Sequence, residues 1–278
     1  MKPKSPIYTV ELFPRINQKL IEFLQELSTS DWNKNTISPL WTVKDIAAHI
    51  LDGNLRRIAV HRDKYFAPAP SLITYPELVK YLNQSNSEWV KASQRLSPQI
   101  IMELLQSTGE EVYQLFKNLS PNKKSVFAVS WAGEKTSLNW FDIAREYTEK
   151  WLHQQQIREA FQNKEILNTQ FYHPCLDTFM RGLPHTYLEV FAPEDTGLKF
   201  LVTGPGGGTW YLWRYLDNWQ ITDDAPPQIM AEVKMTSESS WKLFSKAIKD
   251  PTQAKKNVQI TGNKEWGEKI LEMVTVMA

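Results

Sequence analysis

Over the first 165 residues apolar side chains return every three or four positions, the spacing of a helix face. Leu12, Ile16, Leu20, Phe23, Leu24 and Leu27 form one such stripe. A polar break through Asp31, Asn33, Asn35 and Ser38-Pro39 ends it. Thr42 then stands where an N-cap belongs, with Asp45 three residues on, a variant of the capping box that predicts a helix from Val43 to about Lys64. Thr74 and Glu77 repeat the box around Pro76, predicting a helix to Leu96. Ser97-Pro98 stops that helix and opens another, ending near Leu119. A loop with Pro121, Asn122 and Gly133 leads to Ser137, placed to cap a long helix from Leu138 to about Gln162. Four or five amphipathic helices joined in this way predict an up-and-down bundle.

Near residue 165 the pattern changes. His185–Phe191, Leu198–Thr203, Trp210–Leu216 and Ile229–Met235 read as strands. Ser237–Ile248 reads as a helix, Asn257–Thr261 as a short strand and Lys264–Val276 as a closing helix. The expected class is therefore α plus α+β: a helical bundle over residues 1–165, then a small α+β domain over 166–278. Gly204-Pro205-Gly206-Gly207-Gly208 lies between two strands. It lacks the Lys-Ser/Thr of a phosphate loop and reads as a hairpin turn.

Composition narrows the function. The 278 residues are 42% hydrophobic and 23% charged, an ordinary globular balance. Thirty-two Lys and Arg against 31 Asp and Glu leave a charge of +1, giving no electrostatic reason to expect a nucleic-acid partner. The one cysteine, Cys175, excludes an internal disulfide, suits a reducing, cytoplasmic setting and is expected to be a small buried hydrophobe. No apolar run has the length of a signal peptide or a membrane span. Eleven Trp residues suit cores and pocket walls.

Three side chains carry candidate chemistry. Glu149 and His153 are four apart within the last long helix, one turn apart on one face. His49 lies on the Val43–Lys64 helix, where Ile46, Ile50 and Gly53 as neighbours predict that it faces the bundle interior. Imidazole nitrogens and a carboxylate suit zinc, which in catalytic sites commonly keeps three protein ligands and an open position. Spacing alone leaves other readings open: a Glu–His hydrogen bond on a solvated face, or a core histidine satisfied by a carbonyl.

The segments Leu40–Arg57 (LWTVKDIAAHILDGNLRR) and Arg145–Arg158 (REYTEKWLHQQQIR) resemble, in sequence, order and separation, the N-terminal metal-binding domain of the mycothiol-dependent maleylpyruvate isomerase family, within the DinB-like superfamily of four-helix bundles. The C-terminal part, ending VQITGNKEWGEKILEMVTVM, looks like the small sterol-carrier-like α+β domain of these isomerases. The resemblance implies zinc on His49, Glu149 and His153, with a fourth position for water or a thiol sulfur; nickel or iron suits the same donors. It also implies a low-molecular-weight thiol as cosubstrate, which adds to a small unsaturated or electrophilic substrate and, in the isomerases, leaves after bond rotation. A metal makes a coordinated thiol a thiolate. The same metal also brings the pKa of bound water to about 7, so a metal-dependent hydrolase is the alternative. A non-enzymatic binding module held together by metal is a third possibility.

Three arginines join the candidates. Alternation puts Arg214 on the strand face of Trp210 and Leu212, where it could clamp a carboxylate or simply pack its stem on tryptophan, and the resemblance implies a C-terminal arginine facing the metal. Arg56 and Arg57 follow His49 by two turns, and one of them, Arg56 first, is a candidate to contact an anionic ligand. Arg145, one turn before Glu149, is placed either to orient that carboxylate or to form an ordinary pair on the helix surface. His61, His173 and His185 have no ligand-like spacing. Expected partners are a small thiol and a small organic substrate, with no nucleic acid or membrane, in a monomer or homodimer.

Overall fold

In the computed structural model, residues 2, 4–68, 70–71, 74–248 and 250–275 are described. The chain divides into two compact units. The first is chiefly Thr9–Ser120 with Glu149–Lys164; the second gathers Met1–Tyr8, Pro121–Thr148 and Glu165–Val276.

The first unit is helical: α1 (Phe13–Gln25), α2 (Val43–His61), α3 (Tyr75–Ser93), α4 (Pro98–Lys117) and the second half of α5 (Asn139–Glu159). The predicted stripe of α1 is its buried face, through Ile16, Leu20, Phe23 and Leu24. Both capping boxes form, with Thr42 accepting from the Asp45 N–H and Thr74 from the Glu77 N–H. Each such cap stabilises its helix by about 1 kcal/mol. The Ser97 hydroxyl caps α4 by accepting from the Ile100 N–H. Ile46, Ala47, Ile50 and Leu51 of α2 meet Leu20 and Leu24 of α1, Ile101 and Leu105 of α4, and Ile157 of α5 in one apolar cluster. Along α3, Leu78, Leu82, Trp89 and Val90 are only half-buried, and the Trp89 indole donates to the Ala48 carbonyl at 2.7 Å. Ser137 does not cap α5, contrary to the expectation from its position. The helix begins at Asn139, and the Ser137 hydroxyl accepts from the Val129 N–H at 2.8 Å, bracing the preceding loop.

In the second unit a five-stranded sheet runs in the order β3-β2-β1-β4-β5. Its strands are β1 (Thr196–Thr203), β2 (Gly208–Tyr215), β3 (Asn218–Thr222), β4 (Gln228–Thr236) and β5 (Gln259–Gly262). β1 and β4 are parallel and the other pairs antiparallel, so the sheet is mixed and the class is α plus α+β as expected. Leu198, Phe200, Val202, Trp210, Leu212, Val233 and Met235 form its buried face. The unit's helices are the first half of α5, then α6 (Tyr172–Met180), α7 (Leu183–Thr186), α8 (Ser237–Phe244), α9 (Pro251–Lys256) and α10 (Lys264–Glu268). Phe179 of α6 meets Phe244 of α8 edge to face. The glycine-rich segment turns β1 into β2, with Gly204 and Gly206 at φ of 100° and 73°. Cys175 is buried and free.

Three expectations fail here. His185–Phe191 is no strand: α7 ends at Thr186 and a turn follows, because burial falls on Leu183 and Tyr187, four apart, while Leu188 and Phe191 are exposed. β3 is absent from the expected strands because its hairpin turn is Leu216-Asp217, both at positive φ, without the glycine that usually marks such a turn. The closing helix stops at Glu268 and passes into a 3₁₀ turn, Lys269–Glu272; the expected end at Val276 lies outside the described residues. Among the described residues no helix is long and apolar enough to cross a membrane.

Candidate metal centre

Between Phe141 and Arg158 every residue of α5 is buried except Arg145, Glu149, His153 and Gln156. Those four recur at helical spacing, so the helix keeps one narrow open stripe. On α2 the corresponding stripe is His49, Asp52, Gly53 and Arg56. His49 thus sits beside the apolar packing made by Ile46 and Ile50, half-buried and turned inward as expected, with its Nδ1 sealed from solvent.

The two stripes meet at the histidines. The His49 and His153 rings lie edge to face with centroids 4.6 Å apart. His153 Nε2 stands 3.3 Å from Glu149 Oε2, and His153 Nδ1 lies 2.9 Å from Gln156 Oε1. A proton on Nδ1 donated to the Gln156 oxygen leaves a lone pair on Nε2, facing a carboxylate oxygen. In that tautomer two acceptor atoms face one another, an arrangement that suits a shared metal ion; in the opposite tautomer Nε2–H donates to the carboxylate instead. The donor set suits a divalent metal. Among the described residues no group of three or more His, Cys, Asp and Glu is already gathered in the geometry of a metal site, so these three are neighbours and not a finished ligand shell.

Trp41 completes the cluster, its ring 4.8 Å from that of His49 and 6.3 Å from that of His153. Behind the open stripes the two helices are tied by a buried cation. Lys150 donates to the Ile50 carbonyl at 3.3 Å and to the Asn54 side-chain oxygen, and Asn54 donates to the Thr108 hydroxyl at 2.9 Å. This tie fixes the register that sets His49 beside His153.

A family model, that of the mycothiol maleylpyruvate isomerase N-terminal domain, matches residues 13–158, more than half the chain and all three donor positions. The chain belongs to this family. Two solved structures share its fold: the mycothiol-dependent maleylpyruvate isomerase, at 11% identity, and a point mutant of that isomerase, at 10%. Each match covers 91% of both chains with a TM-score of 0.53. A search of curated proteins finds no match.

The arginines are placed less simply. Arg56 is half-exposed and ion-paired at 2.9 Å with Asp52, one turn back toward His49. Burial holds the Asp52 carboxyl above the usual aspartate range, against the downward pull of Arg56. Arg57 is buried, 3.4 Å from His61 and over the Phe116 ring. Arg145 pairs with Asp142 at 2.7 Å and reaches Glu146 at 3.7 Å, ion pairs that hold its own half of α5. Arg214 lies on the inner sheet face as alternation predicts, mostly buried, 3.7 Å from Asp217. His61 is buried against Phe116, and His173 bonds the Gly207 carbonyl and stacks on Trp210. Trp41, Gln156, Asn54 and Lys150 are not among the residues that sequence reasoning selects. The available signal is spacing: Gln156 is three residues beyond His153, on the same face.

Proposed function

We propose that this chain is a metal-dependent enzyme that binds a low-molecular-weight thiol and uses it on a small unsaturated or electrophilic substrate, as a thiol-dependent isomerase or transferase. The observation that carries the reading is the position of His153 on the open stripe of α5, between the His49 ring of α2 and the Glu149 carboxylate, with Gln156 bonded to its far nitrogen. Family membership supports it, as does the likeness in fold to a mycothiol-dependent maleylpyruvate isomerase.

His49, Glu149 and His153 would hold the ion, with zinc first and nickel or iron as alternatives. A bound ion of this kind supplies a thiolate at neutral pH. The chain's own side chains do the rest. Gln156 fixes the tautomer of His153, Lys150 and Asn54 hold the helix register, and Arg56 offers a guanidinium about 10 Å along α2 from His49 for an anionic part of the ligand. Arg214 remains the candidate to bind a substrate carboxylate, and Arg145 supports the helix that presents Glu149.

The test is metal content and thiol protection. Purified protein should carry about one divalent ion per chain by elemental analysis, and His49→Ala, Glu149→Ala and His153→Ala should each lose most of it. Small thiols should raise the thermal midpoint of the wild type and not of His49→Ala. Full metal content in all three variants would overturn the site. A metal-loaded protein indifferent to thiols but hydrolysing esters or amides would favour the hydrolase.

A further inference from the structure

We propose that Trp41 is a specificity-determining residue, an aromatic wall that favours a thiol sulfur over water or a hard anion beside His49 and His153. The proposal rests on the metal and thiol reading above and deepens it.

The indole is held by its backbone. The Trp41 N–H donates to the Ser38 carbonyl at 3.0 Å, and the Trp41 carbonyl accepts from the Thr36 N–H at 3.2 Å and the Thr36 hydroxyl at 2.9 Å. One residue past the Thr42 cap, the Val43 N–H donates back to the Lys34 carbonyl at 3.0 Å. A turn braced at both ends therefore presents the ring just before the first turn of α2. From there it lies against two imidazoles, inclined 54° to His49 and 34° to His153.

The ring is itself only half-buried, so part of it remains open to an arriving ligand. Further along α2 the open stripe is charged, with Asp52 paired to Arg56. A ligand at the histidines thus meets an aromatic face at one end and an ion pair at the other. Sulfur is large and polarizable and gains from contact with a ring, whereas water and small hard anions lose hydrogen bonds against it. That asymmetry selects a thiol.

The experiment loads wild type, Trp41→Phe and Trp41→Leu with Co²⁺. Each is titrated with N-acetylcysteine and, separately, with azide, following the visible cobalt spectrum and the sulfur-to-cobalt charge-transfer absorption. Trp41→Leu should weaken thiol binding about fivefold, within the range of a sulfur–ring contact, while Co²⁺ affinity and azide affinity stay near wild type; the thermal midpoint falls somewhat, because the indole also packs against the core. Trp41→Phe should recover most of the loss. If the leucine variant does not fold, the phenylalanine variant carries the test, with an expected loss of about twofold for the thiol and none for azide. Undiminished thiol affinity, or equal loss for thiol and azide, overturns the proposal and leaves the metal site standing. A wild type that takes up no Co²⁺ overturns the metal reading, and this proposal with it.

Discussion

Helix α5 carries polar side chains on two of its faces, and the two serve different ends. On the open stripe, Glu149, His153 and Gln156 stay partly in reach of solvent and bond chiefly to one another. On the buried side, Lys150 and Arg158 are sealed from water and spend their donors on fixed partners. Lys150 reaches Ile50 and Asn54, while Arg158 donates to the Lys19 carbonyl at 2.7 Å and the Asn163 side chain at 2.9 Å, with its guanidinium 4.5 Å above the Phe23 ring. A buried charge is tolerated only when its donors are met, so the two inner cations need fixed partners, a demand that the neutral, buried amides of Gln154 and Gln155 on the same side do not share. A site must do the reverse and keep acceptors available at its surface. The comparison teaches that residue type does not mark function on a helix this polar; burial does.

The strongest way to break the contrast is to remove the inner cation. Lys150→Met keeps the bulk but strands the Asn54 oxygen, and should cost about 3 kcal/mol in urea unfolding, since an orphaned buried acceptor adds to the lost charged hydrogen bonds. Metal uptake should fall with it, because the register of α2 on α5 loosens. A variant as stable as wild type would mean that the tie is not structural. Next in size is Gln156→Leu, on the open stripe. Its stability should stay within about 0.5 kcal/mol of wild type, as for most partly exposed positions. Zinc affinity, measured by competition with a chelator, should drop about tenfold, the usual cost of losing a partner that orients a ligating histidine. An unchanged affinity would remove Gln156 from the site.

Much of this architecture is legible in the sequence. Period-3.6 stripes and Thr-x-x-acid caps place α1 to α4 within a few residues, because capping and amphipathicity are local. The three candidate donors come from two motifs about 100 residues apart, and only their order and flanking residues draw them together. Degree of burial, however, is set by tertiary packing: Ile46 and Ile50 beside His49 suggest an inward histidine, and the ring is half-buried with its Nδ1 sealed from solvent. Lys150 looks like a solvent residue in sequence and is 5% exposed. Its partners lie 96 and 100 residues away, beyond any local pattern. The Leu216-Asp217 turn and the α7 segment defeat a local reading for a related reason: a positive-φ leucine and a four-residue burial spacing become visible only in three dimensions.

The smallest effect tests the point where the two kinds of environment meet on α2. Asp52 is on the open stripe beside His49, yet burial holds its carboxyl above the ordinary range despite the Arg56 ion pair. The unfolded carboxyl titrates near about 3.9, so between that value and the raised folded one the native state binds more protons and wild-type stability falls as pH rises. Asp52→Asn has no such proton to lose. Its stability in urea relative to wild type should therefore climb from acid toward neutral pH and then level off, by less than about 1 kcal/mol because the Arg56 ion pair offsets part of the desolvation. A relative stability that falls instead, with the variant losing ground as Asp52 ionises, would show the ion pair outweighing desolvation. Asp52 would then belong with the paired inner residues, and not with the open stripe that it shares with His49.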